Sequence, residues 1–186
     1  MSHDEHQAIA SLREGDIGGL EFLVREYQLK ATRAAYLVTG NRQTAEDVVQ
    51  AAFLRVYERI HQFDRDRPFE PWFLRIVLND ARKAVSRVPR FLAWDQRVND
   101  EGATLADILR DPDLGPDALA ERAELRATVE KALAQLSPAQ RAGIVARYYL
   151  NLSGAEFARR TGRSSGTVKW LLHAARGRLR TLLGGP

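Results

Sequence analysis

Residues 153–180 read SGAEFARRTGRSSGTVKWLLHAARGRLR, and the punctuation of this stretch decides the fold. Ser153 stands three residues before Glu156. That is capping-box spacing, in which a hydroxyl and a carboxylate each satisfy a free amide at a helix start. The helix so opened is short, because Thr161-Gly162 stops it. After the turn Gly162-Arg163-Ser164, Ser165 is placed to cap a second helix reaching about Leu183. A short capped helix, a tight turn containing Gly and a longer second helix describe a helix-turn-helix. In the second helix Val168, Leu172, Ala175 and Leu179 step inward. Thr167, Lys169, Trp170, His173, Arg176 and Arg180 are left on or near the outer faces. Lys and Arg reach phosphates or guanine edges, and Thr, Trp and His contact bases or sugars. An ordinary helical hairpin with a solvated basic face carries the same charges. Trp170 favours DNA, since a large aromatic is costly to leave wet without a partner; packing under the preceding helices is its other possible place.

Outward from this motif the chain reads as helices throughout, with no strand alternation or hairpin signal, so the expected class is all-α. Residues 118–136 form an amphipathic helix, and Ser137-Pro138 restarts another to about Leu150, Ser capping and Pro taking the first position. Towards the N-terminus four helices are expected. Residues 4–14 form a short one. Residues 17–39 carry Leu20, Leu23, Val24, Tyr27, Ala31 and Ala34 at helical steps and stop at Gly40-Asn41. Thr44 is read as the cap of a third, with Glu46 and Asp47 in its first turn and Val49, Phe53, Val56 and Ile60 on its apolar face. Residues 61–69 form a charged loop, and a helix over about 71–88 starts with Pro71 and buries Trp72, Phe73, Ile76, Val77 and Ala84.

Charge divides the chain in the same places. Residues 1–90 carry 14 basic and 13 acidic side chains, residues 91–120 carry 2 and 7, and residues 121–186 carry 12 and 4. A basic C-terminal third suits a polyanionic partner. The acidic segment 95–117 holds six Asp, two Pro and two Gly and reads as a linker, with a short helix near Ala103–Leu109. The expected division is a domain over 1–90, a flexible acidic linker over 91–117 and a helix-turn-helix domain over 118–186.

The helix over 71–88 carries a second basic stripe. Arg75, Asn79, Arg82, Lys83 and Arg87 lie opposite its apolar side, bordered by Phe63, Phe69 and Trp72. Phosphate-binding cations beside aromatics that stack on bases are the composition that holds an opened single strand. The same residues also fit a solvated face over core aromatics, and Trp72 suits the core or a mixed role.

Other chemistries find little footing. There is no Cys, so thiol nucleophiles, disulfides and thiolate metal sites are excluded, which fits a reducing cytoplasm. The four His, at 3, 6, 61 and 173, are scattered. No Walker, GxGxxG, HExxH or GxSxG motif occurs. No apolar run is long enough to cross a bilayer, and the polar, acidic first 15 residues do not read as a signal peptide. No catalytic residue, cofactor or metal is expected.

Several segments together resemble the extracytoplasmic-function sigma factors of bacteria. Leu136 to Arg141, Tyr148 to Ser153, Glu156 to Ala158 and Gly166 to Arg180 resemble region 4 of that family. Glu46 to Phe53 resembles region 2.2, Phe69 to Ala81 regions 2.3–2.4, and Gly15 to Tyr27 region 2.1. The resemblance implies two helical domains that direct RNA polymerase to promoters and assist DNA opening. It implies that Asp47, Gln50 and Phe53 dock core polymerase. Phe63, Phe69, Trp72, Arg75, Asn79, Arg82, Lys83 and Arg87 would engage the opened minus-ten element, with the loop 62–69 holding an unstacked base. Ser165, Thr167, Lys169, Trp170, His173 and Arg176 would read the minus-thirty-five element. Leu171 and Ala174 stand where many members carry Arg, so less direct base reading is implied. The implied partners are core polymerase, promoter DNA and an anti-sigma factor, with no membrane insertion. A stand-alone helix-turn-helix regulator and a protein-interaction adaptor are the rival readings.

Overall fold

The computed structural model describes residues 3–87 and 116–184. Eight α-helices form among them, and no strand: α1 (His3–Arg13), α2 (Gly18–Thr39), α3 (Arg42–Arg59), α4 (Phe69–Arg87), α5 (Pro116–Ala134), α6 (Pro138–Ile144), α7 (Gly154–Thr161) and α8 (Ser165–Leu182). A 3-10 turn, Ile60–Gln62, follows α3, and a π-helical turn, Val145–Tyr149, extends α6. The expected linker lies almost wholly outside the described residues, as does its short helix at Ala103–Leu109. Its end is corrected: α5 already begins at Pro116.

Local chemistry accounts for the boundaries. α2 ends at Gly40, whose left-handed backbone (φ 63°) returns its amide to the carbonyl of Tyr36. Asn41, not Thr44, caps α3, its side chain accepting from the Thr44 amide at 2.8 Å. Asp47 therefore lies in the second turn, beyond the helix-dipole stabilisation expected for it. Pro71 is the third residue of α4, not the first, because the helix starts at Phe69. Ser153 forms the expected reciprocal capping box with Glu156, and Ser137, expected only as a cap, forms one as well, with Gln140. α8 is capped by Ser164, which accepts from the Thr167 amide at 3.1 Å; Ser165 is its first helical residue.

α1 to α4 pack into a bundle. Gly19 is what lets α1 approach α2, since a Cβ there would stand 2.1 Å from the Ala8 carbonyl oxygen. Glu5 of α1 is buried against that face, near Tyr27. Burial pushes the Tyr27 phenol above its ordinary range, and Glu5 adds to the rise. The bundle interior is aromatic: Phe53 and Phe73 lie 4.5 Å apart, and Phe69 stacks on Phe73 at 5.8 Å. The C-terminal helices rest on this bundle. Ala142, Val145, Ala146, Leu152 and Phe157 join the same buried cluster as Val38, Leu74 and Leu78.

Candidate nucleic-acid and protein interfaces

Three surfaces carry the residues singled out in the sequence. The first is a groove between α2 and α3, lined by Val24, Gln28 and Leu29 of one helix and Asp47, Gln50 and Leu54 of the other. Asp47 and Gln50 are both exposed, and Asp47 accepts from the side-chain amide of Gln43 at 3.0 Å. Leu29 and Leu54 are exposed apolar residues flanking these polar groups. Apolar flanks around polar anchors suit a protein partner more than solvent. Phe53 departs from its expected role. It is only 6% exposed and packs on Phe73, so it forms the floor of the groove.

The second surface is the outer side of α4. Trp72, Arg75, Asn79 and Arg82 follow one another at three- and four-residue steps and are half-buried, while Lys83 is exposed. Asp80, the stripe's acid, is paired with Arg55 of α3 and lies 4.0 Å from the Lys83 Nζ. Its charge is thereby offset, and the stripe presents a net cationic face. The Arg87 side chain lies outside the described residues. Phe63 and Phe69 are not surface aromatics: Phe69 is fully buried and Phe63 nearly so. They meet edge to face at 5.5 Å, and both contact Trp72, at 5.1 and 5.7 Å. Two residues expected to stack on DNA instead form the wall behind Trp72. Composition shows that aromatics are present, and only packing shows which ring remains reachable. The loop carrying Phe63 is tied back by Arg13, whose guanidinium donates to the Phe63 carbonyl at 3.4 Å.

The third surface is α7–turn–α8. Gly162 has a left-handed backbone (φ 66°), which turns the chain between the two helices. Ser165, Thr167, Lys169, Trp170, His173 and Arg176 are all exposed, Trp170 by 72%. Leu171 is buried instead. Its Cδ2 fills the space beside Gly143 of α6, where a Cβ would come within 2.7 Å of it. An apolar residue at this position supports the fold, so its identity removes nothing from the outer face. Sequence reasoning passed over Arg147 and Tyr148. Both are exposed on the π-helical turn and share a groove with Lys169 and Arg176. A regular helix was expected there, and the π-turn is what changes their direction. Among the described residues no group of three or more metal-ligating side chains occurs, and no helix is long and apolar enough to cross a membrane.

Comparison with known proteins matches two separate segments of the chain. The profile of Sigma-70 region 2 matches residues 23–90, and that of Sigma-70 region 4 matches residues 126–179. The chain is 31% identical to the ECF RNA polymerase sigma factor SigW of Bacillus subtilis, over 94% of each. It is 34% identical to the RNA polymerase sigma factor CnrH of Cupriavidus metallidurans, over 87% of this chain and 84% of that one. Among solved structures, CnrH in complex with the cytosolic domain of CnrY superposes with a TM-score of 0.66 at 25% identity, covering 97% of both chains. The sigma factor RpoE of Bartonella quintana, solved with the anti-sigma factor NepR, shares the fold with a TM-score of 0.62 at 23% identity, over 88% of this chain and 98% of that one.

Proposed function

The chain belongs to the extracytoplasmic-function RNA polymerase sigma factors, and from that premise we propose how its surfaces divide the work. The protein directs bacterial RNA polymerase to specific promoters and assists the opening of DNA. It does so without catalysing a reaction. Its domains are residues 1–90 and 116–186, joined by the acidic segment between them.

The α2/α3 groove, through Asp47, Gln50 and the flanking Leu29 and Leu54, docks core polymerase. The α4 stripe takes the opened minus-ten strand. Arg75, Arg82 and Lys83 bind phosphates, Asn79 offers a donor and an acceptor to a base edge, and Trp72 provides the stacking plane. Phe63 and Phe69 act behind Trp72, holding its ring in place. α8 enters the major groove at the minus-thirty-five element, with Lys169 and Arg176 on phosphates and Trp170 and His173 nearest the base edges. CnrH is known in a complex with the cytosolic domain of CnrY, and an anti-sigma protein is the corresponding partner proposed here. Polymerase and chromosome place the chain in the cytoplasm.

The observation that carries this reading is the coexistence of two basic, aromatic-bearing faces with different shapes, on α4 and α8, in a chain of this family. Run-off transcription with core polymerase and genomic fragments tests it. Discrete transcripts that require the added chain are expected. Core polymerase that neither retains the chain on a sizing column nor gains transcripts rejects the reading.

A further inference from the structure

α4 holds two acids, Glu70 and Asp80, among four cations, Arg75, Arg82, Lys83 and Arg87. Each acid is paired with a cation from another helix: Glu70 with Lys30 of α2, and Asp80 with Arg55 of α3. Glu70 stands in the first turn, on the side that meets α2. Asp80 stands in the basic stripe itself. It follows Asn79 and precedes Lys83 by three residues, which puts the two side chains on neighbouring positions of the helix surface. The Arg55 guanidinium donates to Asp80 Oδ2, and the Lys83 ammonium lies 4.0 Å from Oδ1. The Asp80 side chain is 16% exposed and that of Arg55 35%, whereas Lys83 reaches solvent with 59% of its surface.

These distances set up a competition for one carboxylate. Among the described residues, Arg55 and Lys83 are the cations within 4.0 Å of Asp80. With Arg55 in place, the Asp80 charge is offset from the bundle side, and the Lys83 ammonium points outward beside Asn79 and Trp72. Without Arg55, the shielded carboxylate keeps its charge and draws in Lys83, which reaches it by a rotamer change. A lysine so engaged is lost to a phosphate, and an acid left uncompensated in the stripe repels the strand. A pair as exposed as Arg55 and Asp80 adds little to stability, so its main consequence is electrostatic.

We propose that Arg55 is a positioning residue for strand binding: it occupies Asp80 and thereby keeps Lys83 available to a phosphate of the opened strand. The proposal rests on the reading of α4 as the surface that holds that strand. α3 then contributes to two interfaces with consecutive residues. Leu54 lines the groove assigned to polymerase, and Arg55 conditions the strand face of α4 without touching the strand.

Two measurements on the full-length chain test this. The first needs no DNA: acetic anhydride acylates the Lys83 amine, and peptide mass spectrometry gives the rate. The second is the affinity of a fluorescent single strand of about 12 nucleotides and mixed sequence for the chain bound to core polymerase, with core alone subtracted, at several salt concentrations. Arg55→Met is expected to slow the acylation of Lys83 and to weaken strand binding about fivefold. It should also flatten the salt dependence by about 0.7, the share of one phosphate on a single strand. Arg55→Met with Asp80→Asn is expected to restore all three, because a neutral amide no longer holds Lys83. Asp80→Asn alone is expected to bind the strand at least as tightly as the parent, and it keeps the question decidable if circular dichroism shows Arg55→Met unfolded. A pair that merely fastens α3 to α4 gives the opposite pattern: Asp80→Asn as harmful as Arg55→Met, and a double variant that recovers nothing. That pattern, or a folded Arg55→Met with the parent's acylation rate and strand affinity, overturns the proposal. Acylation that follows the expected pattern while the parent adds no strand binding to core alone upholds the arrangement of Arg55, Asp80 and Lys83 and overturns the reading of α4 instead.

Discussion

α4 and α8 both present cationic residues beside a tryptophan, yet the two helices expose them very differently. On α4, Trp72 is half-buried and rests against Phe63 and Phe69; Phe69 stacks on Phe73, and Phe73 meets Phe53 in the middle of the bundle. On α8, Trp170 stands free on a face whose support is the small inner row Val168, Leu171 and Ala175. The difference fits the two forms of DNA. A flipped or unstacked base needs a fixed plane to replace the neighbour it has lost, and the aromatic wall supplies one. A duplex keeps its own stacking and needs a helix that protrudes into a groove. The α4 site is therefore inseparable from the domain's core, whereas the α8 site is a surface laid over its core.

Substitutions sharpen this contrast. The largest effect is expected at Phe69, where truncation to Ala should cost about 3–5 kcal/mol of stability and disable the minus-ten face with it. Urea denaturation of the full chain would show it; a loss under about 1 kcal/mol would mean the wall is not built as described. Next comes Gly19→Ala, which forces α1 away from α2 at its closest approach and should cost about 1–3 kcal/mol. Gly166→Ala, whose new methyl would meet only the Ser164 Oγ at an ordinary 3.9 Å, should cost far less, and equal losses would break the argument. Trp170→Ala should move stability by less than about 0.5 kcal/mol while changing which duplex sequences are preferred. Paired melting and DNA titrations separate those two outcomes. Lys169→Ala and Arg176→Ala should weaken binding to most sequences alike, each lowering the salt slope by about 0.9 if it neutralises one phosphate. Loss of discrimination at a single base pair would make either a base reader. The smallest structural effect is expected for Asp47→Ala with Gln50→Ala, which should leave the melting temperature near the parent's and weaken retention by core polymerase.

What the sequence made legible was local. The stops at Gly40 and Gly162, the cap at Ser137 and the capping box at Ser153 follow from residue types a few positions apart, and each stands where it was read. Where the reading slipped, several good caps compete: Asn41 against Thr44, Ser164 against Ser165. Burial was harder to read. Phe63 and Phe69 sit beside charged or polar residues in sequence, and only the assembled bundle shows that their rings turn inward. The π-turn that exposes Arg147 and Tyr148 has no sequence signature, because Val145–Tyr149 is a good helix sequence in either register. The bond from Arg141 to Val38 was beyond reach for a simpler reason. Its acceptor is a backbone carbonyl, which any residue presents.

Thymine reactivity to permanganate on a promoter fragment, with core polymerase and the full-length chain, tests the central claim most directly. The parent should expose thymines at the minus-ten element. Trp72→Ala with Asn79→Ala should abolish that reactivity on duplex DNA and recover transcription at least in part on a template already melted there. If the double variant opens the duplex as well as the parent does, or if pre-melting restores nothing, then α4 is not the surface that holds the opened strand.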